Sequence, residues 1–143
     1  MVTTDSLLLP LILASIFYAR YRTPHGKNAN QPPENAVKLY IKDSDPVNLS
    51  QYEDSAKLLA YGNVNLKVSN GILSYFSLKN HEVSHQLNTL LIPPTKTYKI
   101  ILSDGTEVTL NSMSELQFPF TFPGDKREVY INGEAYFKVA RDE

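Results

Sequence analysis

Ser103-Asp104-Gly105-Thr106-Glu107-Val108-Thr109-Leu110-Asn111 decides the fold class, read together with Asn132-Gly133-Glu134-Ala135-Tyr136-Phe137-Lys138-Val139 downstream. In the first phrase Asp104-Gly105 stands between Tyr98-Lys99-Ile100-Ile101-Leu102 and Thr106-Glu107-Val108-Thr109-Leu110, two β-rich runs. Asp-Gly meets the positive φ angles of a tight turn at little cost, so a hairpin is expected. In the second, Asn132-Gly133 separates Arg127-Glu128-Val129-Tyr130-Ile131 from Ala135-Tyr136-Phe137-Lys138-Val139. The same logic predicts a second hairpin, with Asn132-Gly133 setting its register. Val108, Leu110, Phe122, Val129, Ile131, Phe137 and Val139 are the expected core of this region. Neither phrase holds a reactive constellation.

Bulk properties narrow the function classes. A chain of 143 residues accommodates one folded domain and a short appendage. It contains no cysteine, which excludes disulfides, thiolate catalysis and cysteine-based zinc sites. The net charge of −1, with lysines scattered among acids, lacks the basic footprint of a nucleic-acid binder, so no DNA or RNA partner is expected. With 9 tyrosines and 6 phenylalanines and many β-branched residues, the composition suits pleated, half-buried surfaces.

Going outward to the N-terminus, residues 6–19 carry no charge, and Tyr18, Arg20, Tyr21 and Arg22 form an interface-like flank. Residues 1–22 therefore read as a membrane-anchor helix, short for a span because about 20 apolar residues are needed. A secretory signal lacks its basic leader here, and a buried core helix is the plain alternative. Arg20, Arg22 and Lys27 follow the apolar run, which by the positive-inside rule leaves the remainder in the cytoplasm. Residues 23–35, rich in Pro and Asn, read as a flexible tether, and a β domain is expected over 36–143. Val37, Leu39 and Ile41 alternate with Lys38, Tyr40 and Lys42 in a strand with one wet face, and Val47-Asn48-Leu49 is a brief partner. Asn48-Leu49-Ser50 has only the form of a glycosylation triplet. Three runs between residues 57 and 76, punctuated by Gly62 and Asn70-Gly71, predict a meander. Residues 78–87 are the one stretch of the domain where a helix is possible. Extended structure resumes over 88–92, Ser112-Met113-Ser114-Glu115-Leu116 reads as a turn or a single helical turn, and Pro119 marks an edge-like segment.

Candidate chemistry is sparse. His81-Glu82-Val83-Ser84-His85 matches the H-E-x-x-H pattern, in which a helix sets two histidines one turn apart on zinc and the glutamate activates water. No histidine follows His85 as a third ligand, and Glu107, Glu115, Glu128 and Glu134 fall on turns and hairpins, so a solvated connection is preferred to a metal site. Asp104, Asp125, Glu128 and Glu134 supply carboxylates for an acid and base pair, yet the turns already account for Asp104 and Asp125. Tyr98, Tyr130 and Tyr136 suit a sugar-binding cleft in principle, and strand tyrosines are more often packing residues. No cofactor is expected.

The composite pattern carries more than its parts. Asn88-Thr89-Leu90, Pro94, Tyr98, Leu102, Asp104-Gly105-Thr106, Val108, Leu110-Asn111, Ser114, Leu116, Pro119, Phe122, Arg127, Val129, Gly133-Glu134-Ala135-Tyr136-Phe137 and Val139 resemble the central domain of FecR-like anti-sigma factors of the Bacteroidetes type. The order and spacing match over about the last third of the chain. Thr95-Lys96-Thr97 stands where that family carries a glycine pair, Ser103 where proline is common, and Thr109 where tryptophan is frequent, the marks of a divergent member.

The resemblance implies an all-β fold, an antiparallel hairpin-rich sandwich or β-solenoid-like domain behind one membrane helix. It implies a single-pass inner-membrane protein whose β domain lies in the periplasm, opposite to the charge rule above. It also implies a non-enzymatic regulator relaying a signal from a TonB-dependent transporter to an extracytoplasmic-function sigma factor. The family's motif residues fall here on Asp104, Gly105, Thr106, Leu110, Asn111, Arg127, Gly133, Glu134, Ala135, Tyr136, Phe137 and Val139, all as scaffold. Against that family the chain reads as truncated at both ends, without the regions that contact either partner. A membrane-tethered all-β module binding carbohydrate or protein is the competing class, and a small H-E-x-x-H metalloprotease the outlying one.

Overall fold

Alternation of apolar and polar side chains with a period of two is the dominant pattern from residue 36 onward, and among the described residues its runs are realised as strands. The computed structural model describes residues 31–78 and 85–141. The expected anchor over 1–22 and most of the tether lie outside the described residues, as do His81 and Glu82, and the described residues from Pro32 onward belong to one compact unit. Among the described residues no helix is long and apolar enough to cross a membrane.

Among the described residues there are eleven strands: β1 (Lys38–Tyr40), β2 (Val47–Asn48), β3 (Ala56–Tyr61), β4 (Val64–Ser69), β5 (Ile72–Ser77), β6 (Leu87–Leu91), β7 (Tyr98–Ile101), β8 (Glu107–Leu110), β9 (Glu115–Pro119), β10 (Tyr130–Asn132) and β11 (Ala135–Lys138). A 3-10 turn covers Ser50–Tyr52. The strands form two sheets: a five-stranded one ordered β10-β9-β6-β1-β2, and a six-stranded one ordered β11-β8-β7-β5-β4-β3. Pairing is antiparallel except between β5 and β7, which run parallel because the chain visits the other sheet as β6 before returning. That parallel pair departs from the all-antiparallel expectation.

The two sheets share one core. Leu39, Leu90, Leu116 and Phe118 from the smaller sheet meet Leu66, Leu73, Ile100, Val108 and Leu110 from the larger, all fully buried. Tyr75 ties them together: its ring stacks at 5.7 Å on Phe118 and meets Phe120 edge-on at 5.0 Å. The fold class is thus all-β in two sheets. The expected β1–β2 pair, the β3-β4-β5 meander and the β7–β8 hairpin are present.

The second predicted hairpin is absent. β10 pairs with β9 in the smaller sheet, whereas β11 pairs with β8 in the larger, so Asn132-Gly133-Glu134 carries the chain from one sheet to the other. Consequently Ile131 is 43% and Val139 59% exposed, not core, whereas Phe122, Val129 and Phe137 are partly buried against it. Two local readings change as well. Glu115 and Leu116 belong to β9, with the turn confined to residues before them. Pro119 ends an interior strand rather than an edge one: β10 covers β9 only as far as Gln117, so no ladder bond is lost on that side.

Candidate functional site

Most of the residues that the sequence pattern singled out gather at two hydrogen-bonded junctions. The first is built on the β7–β8 hairpin. The Gly105 N–H donates to the Leu102 carbonyl at 2.9 Å and the Leu102 N–H to the Thr106 carbonyl at 2.9 Å, so the connection has three residues with Gly105 left-handed at φ +85°. Asp104 therefore keeps a negative φ, contrary to the expected Asp-Gly turn, and its role is carried by its side chain. The carboxylate accepts the Thr106 N–H at 3.0 Å, the Thr106 hydroxyl at 2.7 Å and the Arg127 guanidinium at 3.1 Å. Arg127 also donates to the Ala140 carbonyl, and the Ala140 N–H to Thr106 Oγ1. The chain after β11 is thereby fastened to the hairpin tip. Burial pushes the Asp104 carboxyl up, but the bonds from Thr106 and Arg127 together outweigh it and hold it below its ordinary value.

The second junction lies where the chain changes sheets. Ser114, 1% exposed, is its hub. Its hydroxyl donates to the Glu134 carbonyl at 3.1 Å and accepts the Glu134 N–H at 3.0 Å, while its own carbonyl receives the Ile92 N–H. Asn111 completes the joint, its N–H on the Glu134 carbonyl and its side-chain amide on the Glu134 carboxylate at 2.9 Å. Gly133 sits at φ +109°, and a Cβ there would lie 2.6 Å from Ser114 Oγ and 2.9 Å from Ser114 Cα. Only glycine lets the two backbones approach this closely. Leu110 is fully buried beneath the joint and pairs with Ala135, which is partly buried.

The remaining candidates are scattered. Tyr98 is buried, while Tyr130 is 52% and Tyr136 71% exposed on strands of different sheets, so neither the expected core packing of all three nor a shared cleft is realised. Glu128 accepts the Tyr130 hydroxyl at 2.6 Å, and Glu134 is committed to Asn111. His85 bonds through Nδ1 to the Thr121 carbonyl at 3.2 Å. Among the described residues no three His, Asp or Glu side chains come together as a metal set. Asn48 Oδ1 accepts the Ser50 N–H, an Asx turn that fixes the triplet locally.

Two shallow clefts flank these features. One, of about 490 Å³, is lined by Glu53, Ile72, Lys96, Tyr98 and Lys99; the other, of about 500 Å³, by Ser103, Asp104, Phe122, Asp125 and Arg127. In the first, Lys96 binds Glu53 at 2.6 Å and lowers its pKa, the hydrogen bond outweighing burial. The nearby Tyr98 hydroxyl, pushed up by burial and by Glu53, has no hydrogen-bond partner among the described residues. Sequence reasoning missed the Glu53–Lys96 pair, whose members are 43 residues apart, and missed Ser114 as the hub. A buried serine announces itself only through the glycine it faces.

Comparison with protein-family models, characterised proteins and solved structures returns no match to this chain.

Proposed function

We propose that this chain is a non-enzymatic signal relay of the FecR-like anti-sigma type. Residues 1–22 cross the inner membrane once, 23–35 are a tether, and the β domain stands in the periplasm. There it passes the occupancy of a TonB-dependent transporter towards an extracytoplasmic-function sigma factor. One observation carries the reading. The residues of the composite motif, spread from Asp104 to Val139, fall mainly into two joints that hold β11 to the hairpin and the sheets to each other. Motif residues spent on joining strands are what a mechanical, non-catalytic module requires, since no reacting atom is presented by either joint.

A reporter active only outside the cytoplasm, fused after Glu143 in the full chain, tests the placement. Activity is the expected result, and a cytoplasmic signal would remove the periplasmic relay. The flanking genes test the partners: a sigma-factor gene on one side and a transporter gene on the other are expected, and a setting among unrelated hydrolases counts against them.

A further inference from the structure

Among the described residues four strand edges have no neighbouring strand, and they differ in how they are protected. β2 has two residues and β10 three, too short to template pairing. β3 has six, but Lys57 opposes the buried Val68 and so points to the inner face, an inward charge of the kind that blocks pairing. β11 lacks such protection. Its inward positions are Ala135 and Phe137, opposite the buried Leu110 and Val108. Its one charge, Lys138, faces outward and is already paired with Glu107 at 3.5 Å.

The backbone parity of β11 is fixed by the second junction. The Asn111 N–H reaches the Glu134 carbonyl, so by strict alternation Tyr136 and Lys138 bond to β8 while the N–H and C=O groups of Ala135, Phe137 and Val139 point away from it. The geometry points to a second copy of this chain as the occupant of that edge, β11 against β11 antiparallel, with a two-fold axis at Phe137. In this register Phe137 opposes Phe137, Ala135 opposes Val139, and three close pairs give about six backbone hydrogen bonds. On the outer face Tyr136 lies over Lys138 of the other copy, a cation and an aromatic face. The neighbouring registers are poorer: an axis at Lys138 opposes two lysines, and one at Tyr136 loses a close pair because the chain leaves the sheet at Gly133. The pairing covers Val139 and Tyr136, 59% and 71% exposed in the single chain, and does not depend on the relay reading.

The absence of cysteine makes the register directly testable. Full-length chains carrying Tyr136→Cys are mixed in mild detergent with chains carrying Lys138→Cys and oxidised gently. Both positions are exposed, so neither change disturbs the core. The mixture is expected to give severalfold more disulfide-linked dimer than either variant alone, since only the mixed pair brings two thiols opposite each other. Equal cross-linking in all three samples, or stronger cross-linking by Leu58→Cys on β3, overturns the pairing. So does a monomer in sedimentation of the unmodified full chain, for which about a twofold mass is expected.

Discussion

The dipeptide Asn-Gly occurs at residues 70–71 and again at 132–133, and the chain does opposite things at the two places. At Asn70-Gly71 both residues have positive φ, +50° and +69°, and Ser69 pairs with Ile72 across a two-residue primed turn. At Asn132-Gly133 only the glycine is left-handed, and its neighbours enter different sheets. The difference lies in the flanks. Folding β4 onto β5 opposes Val68 to Leu73 and Leu66 to Tyr75, all buried on one face. A two-residue turn at 132–133 would oppose Ile131 to Glu134, Glu128 to Phe137 and Arg127 to Lys138. Those pairings mix faces and set like charges together, whereas the observed ones put Ile131 beside Leu116 and Phe137 beside Val108. A turn signal permits a reversal, and the register of the flanks decides whether it happens.

The sharpest break of this comparison is Gly133→Ala set against Gly71→Ala. At Gly133 the new methyl meets Ser114 backbone and side chain at under 3 Å, whereas nothing lies within 4 Å at Gly71. Chemical denaturation is expected to show a loss of about 3 kcal/mol for the first and about 1 kcal/mol for the second. Ser114→Ala should not rescue Gly133→Ala, because the Cα and Cβ contacts remain. Alone, Ser114→Ala leaves the Glu134 N–H without its hydroxyl acceptor and should cost about 1–2 kcal/mol in the same assay.

The hairpin tip responds to pH instead. The folded Asp104 carboxyl is held below its unfolded value, so its contribution is present above about pH 4 and is lost as pH falls through the folded pKa. Asp104→Asn should therefore cost about 1 kcal/mol near neutral pH and flatten the acid limb of a stability profile. Glu53 and Glu107, also held low by their lysines, leave part of that limb in place. The smallest effect is expected of Asn132→Ala, under about 0.5 kcal/mol, because its φ is not positive; Asn70→Ala, at a left-handed position, should lose roughly twice that in thermal unfolding.

Much of the fold is legible in the sequence for a physical reason. Val37 and Leu39, then Val64, Leu66 and Val68, and later Val108 and Leu110 alternate cleanly, and all are buried. The hidden part is partner choice. Nothing local in β6 or β9 tells Leu90 to seek Leu39 and Leu116, and the parallel β5–β7 pair leaves no turn signal because no turn joins them. At the candidate joints, Asp104 and Gly133 are visible as turn formers, whereas Ser114 acts on Glu134 20 residues away and Arg127 on Asp104 23 residues away and on Ala140 13 residues away.

The separate sheet memberships of neighbouring strands also set an order of assembly. In the larger sheet β3, β4 and β5, and again β7 and β8, join neighbours across short loops, so those pieces can form early at little loop-closure cost. The smaller sheet has only the short β1–β2 pair as such a start: beyond it Leu39 must find Leu90, and Leu90 must find Leu116. Pairings between such distant strands cost the most loop closure, so the β1-β6-β9 ladder is expected to form late and to be the first place where a slowed chain exposes its apolar face.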